Sequence, residues 1–88
     1  MNETVKRAYE IQKEYCETEN LREEYLPELE VGEVCEMNDV WDGEGDVPTE
    51  SYSYKLSDID YVNYEFEIVE ENDNPLDTVI RITNIEIV

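Results

Sequence analysis

Histidine is absent from the 88 residues, and with it go the commonest general base and the commonest transition-metal ligand. The serines Ser51, Ser53 and Ser57 have no base near them, and with three glycines in all there is neither a Gly-x-Ser-x-Gly elbow nor a phosphate-cradling glycine loop. No enzyme activity, resident metal or cofactor is expected. Two cysteines, Cys16 and Cys35, stand far from any Cys-x-x-Cys spacing, so reduced, partly buried thiols are expected, with a disulfide between them as the lesser alternative. No apolar run approaches the roughly 18 residues of a spanning helix, and no basic stretch leads into an apolar one near Met1. The expectation is a cytoplasmic protein, in the host cell if phage-encoded, in which the Asn2-Glu3-Thr4 sequon is a chance match.

Positive charge is the scarcest commodity. Lys and Arg number 6 against 25 Asp and Glu, a formal net charge of −19, far outside the magnitude of roughly 2 to 8 usual for a small soluble domain. Such a surplus destabilises the compact state by self-repulsion. It disfavours nucleic acid and anionic membranes as direct partners and favours basic surfaces, among them the nucleic-acid channels of other proteins. Strong acidity also accompanies disorder. Seven tyrosines and a regular apolar alternation after residue 61 argue instead for one small folded domain.

What is present reads as α+β. Asn2 is placed to cap a helix over residues 3–18, with Glu3 and Arg7 spaced as an i, i+4 pair. Val5, Ala8, Tyr9, Gln12, Tyr15 and Cys16 make its apolar stripe. Asn20 and Glu23 have capping-box spacing for a short second helical turn before Pro27. About four antiparallel strands follow, in a twisted sheet or a small open barrel. The first spans residues 29–37 with a break at Gly32, and the second spans 51–56 with Tyr52, Tyr54 and Leu56 on one face. The third, 61–69, points Val62, Tyr64, Phe66 and Ile68 inward and Asn63, Glu65 and Glu67 outward. Asn72-Asp73-Asn74-Pro75 turns it into the fourth, 78–88, where a parity change past Thr83-Asn84 implies a bulge.

Between the first two strands, residues 38–50 form an acidic loop with Asp39, Asp42, Glu44, Asp46 and Glu50, in which Trp41 is expected to anchor the loop to the core. A calcium loop starting at Asp42 fails the EF-hand pattern, since Val47 falls on the glycine position and Ser53 on the bidentate acid. Only a weak cation site survives as a third reading. The sharper pattern is the outward row of Glu65 and Glu67, with Glu71 beyond. Alternate strand residues repeat at about 6.6 to 6.8 Å, and successive phosphates of one DNA strand lie on the order of 6 to 7 Å apart. Glu10, Glu14 and Glu17 extend the row if the helix edge lies beside the sheet, and tyrosines at the rim stand where bases would stack. From residue 28 to 54 there is no Lys or Arg at all. The reading is a nucleic-acid mimic that occupies the basic groove of a target, such as a phage or plasmid protein directed against a CRISPR effector or a restriction enzyme. The alternative is an acidic interaction module that binds a basic partner without imitating nucleic acid.

Overall fold

The computed structural model describes residues 2–88: one helix, α1 (Glu3–Glu19), and four strands, β1 (Val34–Glu36), β2 (Ser51–Lys55), β3 (Tyr61–Glu70) and β4 (Val79–Ile87). The Asn2 carboxamide oxygen accepts from the amides of Thr4 at 2.7 Å and Val5 at 3.3 Å, satisfying donors that the first turn leaves orphaned. Val5, Ala8, Gln12 and Cys16 form the buried stripe. Arg7 pairs with Glu10 at 3.4 Å instead of Glu3, since neighbours three and four residues away are equally within reach of a guanidinium.

Asn20 ends this helix and starts no second one. Its backbone is left-handed, φ 55 and ψ 46, and its amide bonds to the Cys16 carbonyl, joined there at 2.8 Å by the Leu21 amide. Having adopted a C-cap conformation, it is unavailable as an N-cap, and residues 21–30 carry no helix. They form an irregular strap whose backbone polar groups are met by side chains. Gln12 brackets Glu24, donating to its carbonyl at 2.9 Å and accepting from its amide at 3.1 Å. The Tyr9 hydroxyl donates to the Leu26 carbonyl at 2.8 Å and accepts from the Leu26 amide at 2.9 Å, and Tyr64 donates to the Pro27 carbonyl at 2.7 Å. So held, the strap buries Leu26 and Leu29.

The strand expected over residues 29–37 shrinks to Val34–Glu36. Gly32, at φ +92, turns the chain sharply, and regular pairing to β4 resumes only after its amide reaches the Ile82 carbonyl at 2.7 Å. Sheet order is β1-β4-β3-β2, antiparallel throughout. The sheet stays open with β1 and β2 as edges, so the barrel alternative is not realised. The bulge at Thr83-Asn84 is present: Glu65 opposes Asn84 while Phe66 opposes Ile82, which leaves Thr83 unpaired. A second irregularity falls between Ile68 and Glu70, so Ile68 keeps the inward parity of Phe66 and opposes buried Ile80. Ile68 is nonetheless 38% exposed, beside Met37, Val47 and Pro48 of the loop between β1 and β2 and past the part of the sheet that α1 covers.

α1 packs across β4 and β3 on one face, closing a core of Val5, Ala8, Val62, Tyr64, Phe66, Ile80, Ile82 and Ile85. The other face is bare. Among the described residues no helix is long and apolar enough to cross a membrane.

Candidate acidic interaction surface

Where β1 ends, a 3-10 turn, Met37–Asp39, begins the acidic loop, and its first carboxylate works on the backbone: Asp39 accepts from the Glu36 amide at 3.0 Å. Val40 and Trp41 follow, both buried. The Trp41 indole donates to the Glu44 carbonyl at 2.8 Å, and Asp42 accepts from the Glu44 amide at 3.0 Å, which folds the loop back on its anchor. The Tyr54 hydroxyl donates to the Val40 carbonyl. Trp41 thus pins the loop as its place in the sequence implies, with indole N–H and ring both engaged.

The loop docks on the β3–β4 connection. Asn38 donates to the Leu76 carbonyl at 3.0 Å, and the Met37 amide reaches the Thr78 carbonyl at 2.8 Å. That connection is itself stiff: Asn74 accepts from the Leu76 amide at 3.1 Å, and Asn72 donates to the Asp77 carbonyl at 2.8 Å. The end of β1, the start of β2 and the β3–β4 turn all lie at one end of the sheet. One pole therefore gathers Asp39, Asp42, Glu44, Asp46 and Glu50 with Glu70, Glu71, Asp73 and Asp77, all exposed. Neither 37–50 nor 70–78 contains a Lys or Arg. Glu70, Asp73 and Asp77 are members that the sequence reading passes over. Their signal was the absence of any cation from 70–77, hidden because that run reads first as a turn.

Glu65 and Glu67 lie elsewhere, on the bare face, side by side on β3 as the alternation requires. Neither is free. Glu67 takes a 2.7 Å bond from Arg81 across the β3–β4 pair, and Glu65 takes one of 2.7 Å from Asn84. Serines, asparagines and Arg81 share this face, so its charge is mixed. Glu10, Glu14 and Glu17 cannot extend the row, because α1 covers the opposite face and turns these residues to solvent on the far side of the molecule. Glu71 belongs to the pole.

Acid and base are divided unevenly along the chain. Residues 1–22 hold four of the six cations and five of the 25 acids; residues 23–88 hold two cations and 20 acids. Both of those cations stand beside carboxylates, Arg81 at Glu67 and Lys55 at 4.0 Å from Asp58. Among the described residues no three His, Cys, Asp or Glu side chains are grouped to hold a metal ion, so the loop offers the weak calcium reading no assembled donor set. Burial, ahead of nearby negative charge, pushes the hydroxyls of Tyr54 and Tyr64 above the ordinary tyrosine range. The Cys35 thiol is pushed up to about 11, by burial first and then by Asp39, Glu33 and Glu36. Both cysteines are free. In comparison with known proteins, the chain matches no protein-family model, no curated protein and no solved structure.

Proposed function

We propose that the protein inhibits a nucleic-acid-binding protein, such as a CRISPR effector or a restriction enzyme, by occupying its basic groove in place of DNA or RNA. The observation that carries this reading is linear charge density. The body measures 42 × 25 × 18 Å, and 19 net charges along 42 Å amount to one per about 2.2 Å, against one per about 1.7 Å for duplex DNA. Met1 carries no charged side chain, so the count and the dimensions describe the same charges. Few folded surfaces approach that density, since ordinary ones intersperse both signs.

In this reading the pole, more than the bare sheet face, presents the phosphate-like charge. Its carboxylates are exposed and have no cation among them, whereas Glu67 is already matched by Arg81. The rigid backing comes from Trp41 and from the docking of the loop on the β3–β4 turn, so little conformational entropy is lost on binding. Competition tests it. The protein is first bound to a purified target nuclease, oligonucleotide is titrated in, and release is followed. Mutually exclusive binding, weakening steeply with salt, is the expected result. A ternary complex would exclude mimicry and leave the acidic interaction module in its place.

A further inference from the structure

Between the strap and the acidic loop lies an open pocket of about 400 Å³, a size common for small-ligand sites. Its walls are unusual in combining three aromatic rings, Tyr25, Trp41 and Tyr54, with three carboxylates, Glu28, Asp39 and Asp42. Tyr54 and Trp41 are fixed by their hydrogen bonds to Val40 and Glu44. Tyr25 is 72% exposed at the mouth, and its hydroxyl has no hydrogen-bond partner among the described residues. Asp39 and Asp42 each spend one oxygen on a backbone amide, through Oδ2 and Oδ1 respectively, and keep the other. Among the described residues no Lys or Arg lines the pocket, and Lys55, next along β2 from Tyr54, sits by Asp58 instead.

We propose that this pocket receives an arginine side chain from the partner protein. Aromatic faces attract a cation through their quadrupole, and carboxylates spaced around a rim suit a planar donor fork better than a point charge. Guanidinium is also more weakly hydrated than ammonium, so it enters an aromatic pocket at lower desolvation cost. The inference rests on the reading that the partner surface is basic, and it assigns one defined contact within that surface.

The test uses the whole chain, labelled with ¹⁵N, and the N-acetyl, N-methylamide derivatives of arginine, lysine and citrulline in 150 mM salt, where weak diffuse attraction is screened. Trp41 is the only tryptophan, so its indole N–H is a unique reporter inside the pocket. The arginine derivative should shift that signal and the Tyr25 and Asp42 amides saturably, with half-saturation on the order of 1 to 10 mM. Citrulline, uncharged and of the same shape, should do nothing, and lysine should bind at least about fivefold more weakly. Tyr25→Ala and Glu28→Gln are exposed changes whose spectra report an intact fold directly. Each should raise the half-saturation concentration about threefold or more. Shifts that never saturate, that lysine or citrulline reproduces, or that ignore both substitutions overturn the assignment. Arginine binding without oligonucleotide competition at the target sinks the groove reading alone, and competition without arginine binding sinks this pocket alone.

Discussion

Phe66 and Glu67 are adjacent in sequence and opposite in consequence. Phe66 is 5% exposed in the core, and Phe66→Ala should cost about 3 to 5 kcal/mol in urea unfolding, the range for truncating a buried aromatic ring. Glu67→Gln removes an exposed ion pair with Arg81 and should change stability by no more than about 1 kcal/mol. A Phe66→Ala variant that unfolds with the wild type would overturn the inward parity of β3. Asn20 makes a second single-residue test. At φ 55, Asn20→Ala should lose about 1 to 2 kcal/mol while Asn20→Gly holds or gains; a residue whose side chain caps a helix start would instead lose about a few tenths of a kcal/mol on going to Gly. The buried tyrosines set an alkaline limit. Tyr54 and Tyr64 titrate near 10.0 in an unfolded chain and higher in the folded one. The neutral form is the one the fold prefers, so their stabilisation is intact below pH 10 and declines as pH rises from there towards the folded values. Thermal melts at pH 8, 10 and 11 should show the midpoint dropping most steeply across the upper interval, after a smaller earlier decline from the Cys35 thiol, which titrates near 9.0 unfolded and about 11 folded.

At the scale of elements, the molecule divides into central strands and a side-chain-tied periphery. β3 and β4 each have a strand on both sides, and the inward residues Val62, Tyr64, Phe66, Ile80, Ile82 and Ile85 are buried. Their amides should exchange with solvent most slowly, and those of the strap, held by side chains, faster. The strap depends on three side chains, so Tyr64→Phe, which leaves the Pro27 carbonyl without its 2.7 Å donor, should cost about 1 to 3 kcal/mol. Its exchange signature should be loss of protection at Leu26, two bonds of whose backbone run to Tyr9. Protection at Leu26 unchanged from wild type would mean that the strap holds by apolar burial alone.

For the whole molecule, the surplus charge is the governing quantity. Residues 23–88 carry 20 acids against two cations, so repulsion outweighs attraction over most of the surface. Raising sodium chloride from 20 to 300 mM shortens the screening length from about 20 Å to about 6 Å and should raise the melting temperature. A midpoint that falls steadily with salt would show instead that pairs such as Arg81 and Glu67 dominate. Binding to a basic target should respond in the opposite direction, weakening with salt. If the proposed groove reading holds, charge reversal at Asp42, Glu44, Glu71 and Asp73 together should abolish inhibition of the target nuclease. Reversal of Glu65 and Glu67 should weaken it less, because those two carboxylates are already engaged with Asn84 and Arg81.

The helix, the β3–β4 hairpin and its bulge were legible in the sequence because each follows from local period and local turn chemistry. Asn2 precedes a stripe at helical spacing, Val62 to Phe66 alternate, and the parity of Ile80 and Ile82 fails to match that of Ile85 and Ile87. Net charge is likewise a property of composition. The strap was not legible, because what stabilises residues 21–30 is a set of bonds from Gln12, Tyr9 and Tyr64, the last 37 residues from its partner. The pairing of Glu67 with Arg81 was hidden for the same reason: which residues oppose one another across a hairpin is fixed by register, and here by an unpaired Thr83. Composition decided that the surface would be acidic. Only the docking of the 38–50 loop on the β3–β4 turn decided where that acid would concentrate, because two segments more than twenty residues apart share one pole once Asn38 and Leu76 have met.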